Sequence, residues 1–267
     1  MTGTIITSSQ NPKLQRVRKL LEKRKQREDE QAFVVEGVRL AEEALAAGWQ
    51  PELALFTNEL SARGMKVARG FESMGAEVIE ISPRLMNSIA GTETPQGLLA
   101  VFPMRKARLP ETLDFVLIAD NLRDPGNLGT LLRTAAAAGA QAALLSPGTT
   151  DAYAPKALRA GMGAHFRLPT LHLSWEEIEA LCKRQANPPL RIFLAEAARG
   201  APCWETDLRQ PLALMVGSEA EGSSPEAARL ADEPVTIPMP GRSESLNAAM
   251  AAGILLFEIV RQRQTWK

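Results

Sequence analysis

Aromatic residues are scarce in this chain: Phe, Trp and Tyr make up 5% of 267 residues, with a single Tyr. That leaves little material for a surface that grips its ligand by stacking successive rings. Cysteine is scarcer still. Cys182 and Cys203 stand far apart, which argues against a Cys-based zinc site and suits a reducing compartment. Only His165 and His172 offer imidazoles, so no metal is expected. No apolar run reaches the length of a membrane span; Ala248 to Ile254 is buried-helix material interrupted by Gly253. The N-terminus lacks the apolar core of a signal peptide, so a cytoplasmic protein with no membrane partner is expected. Net charge is missing too, with 31 basic residues against 31 acidic ones.

The charge that is present is unevenly placed. Lys13, Arg16, Arg18, Lys19, Lys23, Arg24, Lys25 and Arg27 fall within one short run that holds a single acid, Glu22. A neutral total can therefore hide a cationic surface able to meet phosphates. The length allows two domains with a sizeable core, and 45% apolar with 23% charged residues describes an ordinary globular protein.

Asn11-Pro12 opens a helix, an N-cap followed by Pro at the first helical position, and Leu14, Val17, Leu20 and Leu21 recur at helical spacing. Strand and helix signals then alternate: Phe33 to Val35, Val38 to Ala47, Leu53 to Phe56, Glu59 to Met74, Val78 to Ile81 and Leu98 to Phe102. That is a small α/β domain over residues 1–105. The basic, Pro-bracketed stretch Pro103 to Pro110 reads as a boundary. In residues 106–267, strands are expected at Phe115 to Ala119, Ala142 to Leu145, Ile192 to Ala195, Leu212 to Val216 and Val235 to Ile237. Helices are expected at Leu128 to Ala138, Ala154 to Gly161, Trp175 to Lys183, Pro225 to Ala231 and Leu246 to Arg263. Apolar strands alternating with helices predict an α/β fold with a parallel sheet covered on both faces.

Three polar, Gly-bearing loops follow or end strands of this second half: Asp120 to Arg133, Val216 to Gly222 and Ile237 to Asn247. Loops gathered at one edge of such a sheet are where an α/β protein keeps its ligand. In the first, Asn127 can cap the helix it opens, and Arg133 lies near the loop, one turn after Gly129. The loop is neither a P-loop nor a full G-x-G-x-x-G fingerprint. The Ala-rich helix after Asn247 can pack close to its neighbours, but close packing does not account for Arg242, Ser243, Glu244, Ser245 and Asn247 crowded before it. Taken singly, each loop fits a capped strand-to-helix turn.

Together, in order and spacing, they resemble the three signature motifs of the SpoU-type RNA 2′-O-ribose methyltransferases of the SPOUT superfamily. Motif one resembles Asn127-x-Gly129-x-x-x-Arg133, motif two Gly217-x-Glu219-x-x-Gly222, and motif three Ile237-Pro238-Met239 through Ser245-Leu246-Asn247. The N-terminal half is similar to the L30e-like substrate-binding domain common in that family, through Phe33 to Gly37 and Thr92 to Gly97. Lys156 to Ala160, with Gly163-Ala164 and Phe166 to Pro169, resembles a further family segment, in which Gly161 replaces a common Ser.

The resemblance implies methyl transfer from S-adenosyl-L-methionine to a ribose 2′-hydroxyl of RNA, a C-terminal fold with a deep trefoil knot, and a homodimer. It implies Leu194, Ala195, Gly217, Ile237, Met239 and Leu246 around the cofactor, and Arg133 as the catalytic candidate with Asn127, Glu219, Ser245 and Asn247. A guanidinium is practically never neutral, so Arg133 is expected to grip the target's phosphate and lower the hydroxyl's pKa rather than act as a base. Glu219 is expected to orient Arg133, and Ser245 and Asn247 to hydrogen-bond the ribose. Lys13, Arg16, Arg18, Lys23, Arg24 and Lys25, with Arg159, are the expected RNA contacts. Ribosomal RNA is the favoured substrate. The alternatives are a transfer-RNA methyltransferase and a non-catalytic RNA-binding ribosome-assembly factor of the same fold. A dinucleotide-dependent enzyme is disfavoured, because Leu144-Leu145-Ser146-Pro147 stands where an acidic ribose reader belongs.

Overall fold

The computed structural model describes residues 5–218, 222–241 and 245–264. These sort into two units, Met1–Lys106 with Tyr153–Phe166, and Ala107–Ala152 with Arg167–Lys267. In the first unit the Asn11 side chain accepts from the Lys13 amide and so caps α1 (Pro12–Glu22), whose Leu14, Val17, Leu20 and Leu21 are buried. The helix breaks at Lys23 before α2 (Arg24–Glu30). Arg27 is buried, and its guanidinium turns back to donate to the Leu20 carbonyl at 2.5 Å, which satisfies the end of α1.

Beyond these come β1 (Ala32–Glu36), α3 (Val38–Ala46), β2 (Leu53–Phe56), α4 (Ala62–Ser73), β3 (Glu77–Glu80), α5 (Pro83–Ile89) and β4 (Leu98–Pro103). The strands lie in the order β1-β4-β2-β3, with β2 and β3 parallel and the other pairs antiparallel. Alternate side chains leave a strand on opposite faces. Phe33 and Val35 therefore enter one core while Ala32 and Val34 enter another, and β1 is buried throughout. Phe33, Trp49, Phe71, Phe102, Tyr153 and Phe166 meet in the first core, with ring centroids between 4.7 and 6.5 Å apart. The few aromatics of this chain largely serve packing.

The second unit contains β5 (Phe115–Ala119), α6 (Pro125–Ala138) and β6 (Ala142–Leu145). The chain next contributes α7 (Pro155–Gly161) to the first unit, where the Trp49 indole N–H donates to the Phe166 carbonyl at 3.1 Å. A two-domain division at residue 105 does not capture this segment, because Phe33 and Trp49, two of its ring partners, lie more than a hundred positions back in the chain. The second unit resumes with β7 (Thr170–His172), α8 (Trp175–Glu179) running on as a π-helical turn, β8 (Arg191–Ala195) and β9 (Ala201–Pro202). It ends with β10 (Leu212–Val216), α9 (Pro225–Leu230), β11 (Glu233–Thr236) and α10 (Ala248–Arg263).

These strands form the expected parallel sheet, in the order β7-β6-β5-β10-β8-β11-β9. Val216 at the end of β10 stands opposite both Ala119 of β5 and Ala195 of β8. Three strands thus finish level, and the segments beginning at Asp120, Gly217 and Glu196 leave from one edge. Among the described residues no helix is long and apolar enough to cross a membrane.

Candidate active site

A cavity of about 170 Å³ opens at that edge, walled by the ends of β8 and β10, by Gly222-Ser223, by the segment after β11 and by the start of α10. Ala195, Gly217, Ile237, Met239 and Leu246 line it, as does Ser245. Leu194 stands one residue earlier with its side chain in the hydrophobic core of the sheet. Val216, Val235 and Leu255 add apolar surface suited to a flat heterocycle, beside the polar Ser218 and Ser223. One carboxylate joins that wall and was not foreseen: Glu196, which accepts from the Ser223 hydroxyl at 2.7 Å. Its position directly after the last residue of β8 was the available signal.

The loop chemistry explains the shape. Ser218 and Gly222 exchange backbone hydrogen bonds of 3.1 and 3.0 Å. A Cβ at Gly217 would sit 2.9 Å from the Gly222 carbonyl oxygen, so no side chain fits there without moving backbone. Asp120, buried at the end of β5, anchors the far side of this loop: its carboxylate accepts from the Ser224 amide at 2.7 Å and the Ser146 hydroxyl at 3.3 Å. Ser224 in turn caps α9 through the Ala227 amide.

The first loop does not line the cavity; a side-chain hydrogen bond joins it to the third. Asn127 Oδ1 accepts from Asn247 Nδ2 at 3.2 Å, across 120 residues of sequence. The cap of α6 is Asp124, whose carboxylate accepts from the Asn127 amide at 2.8 Å, and not Asn127 as expected. The correction has a physical cause: Pro125 opens the helix one residue after Asp124, and this leaves the Asn127 side chain to meet motif three. Asn247 caps α10, accepting from the Ala249 and Met250 amides.

Residues 114–257 match the SpoU rRNA Methylase family, and residues 11–100 match the MRM3-like substrate binding domain. The chain belongs to the SpoU rRNA methylase family. It is 33% identical to the 23S rRNA (guanosine(2553)-2′-O)-methyltransferase RlmP of Bacillus subtilis, over 95% of this chain and 98% of that protein. It is 32% identical to the 23S rRNA (uridine(2479)-2′-O)-methyltransferase of Streptomyces viridochromogenes, over 96% of this chain and 92% of the relative. The crystal structure of the SpoU methyltransferase AviRb from that organism, in complex with the cofactor AdoMet, superposes with a TM-score of 0.87 at 29% identity, covering 97% of this chain and 100% of the other.

Within this SpoU-family chain, Arg133 lies exposed on α6, outside the cavity wall, and makes no hydrogen bond or ion pair with the described residues. Glu219, expected to orient it, lies outside the described residues, as do Arg242, Ser243 and Glu244. Thiolate chemistry is not on offer: burial pushes the Cys182 thiol up to about 12 and raises that of Cys203 as well.

The expected RNA-binding cations divide. Lys13 pairs with Glu77, Arg16 pairs with Glu30 at 2.6 Å and Glu52 at 2.8 Å, and Arg24 pairs with Glu28 at 2.7 Å. Arg18 donates to the Ser88 carbonyl, while Lys23 and Lys25 are exposed. Arg159 belongs to the first unit, 3.9 Å from the buried Glu36 carboxylate. The N-terminal helices are therefore far less cationic than their composition implies.

Proposed function

We propose that this chain transfers a methyl group from S-adenosyl-L-methionine to a ribose 2′-hydroxyl of ribosomal RNA. The observation that carries this is the convergence at one sheet edge: motifs two and three wall a single cavity, and the Asn127–Asn247 bond ties motif one to it. The cavity fits the donor, offering an apolar slot for an adenine and a carboxylate, Glu196, with the acceptor capacity that ribose hydroxyls need. When bound, that donor supplies an electrophilic methyl on a sulfonium, so the protein has to place and activate the nucleophile. Holding hydroxyl and methyl in line supplies much of the acceleration. Arg133, permanently cationic and without an ion pair to the described residues, is the group to hold the target's phosphate and stabilise the developing alkoxide. Ser245 and Asn247 are the proposed ribose ligands, and the three motifs imply the trefoil knot of the family.

Residues 1–105 together with 153–166 are the proposed RNA substrate-binding half, and the rest of 106–267 the methyltransferase half. Lys23, Lys25, Arg18 and Arg159, with the paired Lys13, Arg16 and Arg24, are the proposed phosphate contacts. The enzyme acts in the cytoplasm as a homodimer. Support for the dimer comes from α10, where Met250, Ile254 and Phe257 recur on one helix face at 41–61% exposure. α6 packs beside α10, where a Cβ at Gly253 would meet Thr134 at 3.7 Å, so covering that face sets the neighbouring Arg133 near the proposed subunit boundary.

The test compares 2′-O-methyl maps of total RNA from cells with and without the protein, alongside Arg133→Ala. One ribosomal site should lose its methyl group in both cases, while calorimetry shows donor affinity retained in the variant. An unchanged map would refute the activity, and loss of donor binding would refute the role given to Arg133.

A further inference from the structure

The largest cavity described is not the methyl-transfer one. It lies in the first unit and has a volume of about 520 Å³; a second of about 360 Å³ adjoins it, and Arg39 and Gln96 line both. Sites for small ligands commonly span about 300–1,000 Å³. We propose that this paired groove holds a single unstacked nucleotide of the RNA substrate, an inference that rests on reading the first unit as the RNA-binding half.

The groove is preformed by the two stretches that resemble the substrate-binding domain. At the end of β1, Gly37 adopts φ +96° and turns the chain into α3. Gln96 lies over this turn, and its Oε1 accepts from the Val38 amide at 2.8 Å. An amide side chain has one acceptor oxygen and one donor nitrogen. With the oxygen engaged, Nε2 is a fixed donor on the shared wall, and it donates to none of the described residues. Buried Glu36 fastens the opposing loop by accepting from the Gly91 amide at 3.0 Å and from the Thr92 hydroxyl.

Charge identifies the ligand class. Arg63 is held by Glu42 at 2.6 Å, and Arg159 faces Glu36. Arg39 is exposed and makes no hydrogen bond or ion pair with the described residues. Glu59 lines the same cavity, so Arg39, without an ion pair to the described residues, is the guanidinium that suits one phosphate there, whereas a duplex tract needs several cations in register. Asn87 and Gln96 supply donors and acceptors for a base edge, over an apolar floor that includes Met86 and Pro95. A concave site with these groups reads an extruded base, and an arginine plane can stack on it in place of the missing aromatics.

The experiment uses the full chain and fluorescence anisotropy with ten-nucleotide RNAs of mixed sequence, single-stranded or closed into a duplex, at several salt concentrations. Arg39→Ala should weaken single-strand binding about fivefold and lower the salt slope by about 0.7. Gln96→Glu retains the acceptor for Val38 but replaces the donor, so affinity should fall to a similar degree while the melting temperature and S-adenosylmethionine affinity stay at wild-type values. Two results would overturn the proposal: duplex bound as tightly as single strand, or wild-type affinity in both variants. In either case RNA binding by the full chain, and with it the proposed methyl transfer to RNA, stands; a wild-type chain that binds no RNA removes that reading as well.

Discussion

Asp120→Ala removes a side chain that joins the end of β5 to the loop behind the donor cavity. The Ser224 amide, 2.7 Å from the carboxylate, loses a charged acceptor worth about 1.5–3 kcal/mol. The Ser146 hydroxyl contributes less, since its 3.3 Å contact is long and it can still donate to the Pro147 carbonyl at 3.2 Å. The expected cost is about 2 kcal/mol, which in a domain of this size lowers the melting temperature by about 4–8 °C. Asp120→Asn keeps an oxygen for Ser224 and loses only the charge, so it should cost about half as much. Because Ser224 adjoins Ser223, which holds Glu196, the Ala variant should also bind S-adenosylmethionine several-fold more weakly. Scanning calorimetry and titration calorimetry measure the two effects. An Ala variant melting within about 1 °C of wild type would refute the anchoring argument.

Asn247→Ala should cost about 1 kcal/mol through loss of the α10 cap, whereas Asn247→Ser should restore stability without restoring methylation, because serine does not reach Asn127; thermal melts and initial rates separate the two. Phe257→Asp places a charge in the exposed stripe of α10, and light scattering should resolve a monomer for the variant against the proposed dimer of the wild type; equal masses would refute that interface. The buried Cys182, with its thiol pushed up to about 12, should resist iodoacetamide at neutral pH in the folded protein and react only on unfolding; rapid native labelling would contradict its burial.

Parallel strands announce themselves because both of their faces are covered: Phe115–Ala119, Ala142–Leu145 and Leu212–Val216 have the ends that their apolar runs imply. Short edge strands carry no such run, so β7 and β9 were not foreseen. Nor was α5, although Ser82 and Pro83 open it, because its apolar residues are too few to show a period. The motifs located the cavity, since glycine and small polar residues mark loops wherever the chain places them. Pairing is what composition conceals. Arg16 looks free until Glu52 arrives from 36 residues away, and Lys13 until Glu77 arrives from 64. The apolar stripe of α10 was masked by the alanines beside it, and Gly253 is not needed for close packing there, since a Cβ would meet Thr134 at an ordinary 3.7 Å.

The excursion of residues 153–166 into the first unit has a practical corollary for anyone who would cut this protein in two. A fragment ending near Lys106 forfeits Tyr153 and Phe166, the rings that close over Phe33 and Trp49. Its oily interior would lie open, inviting self-association. The N-terminal half is no detachable cassette, and a chimera that borrows it must carry the later stretch too, spliced in through a linker of its own.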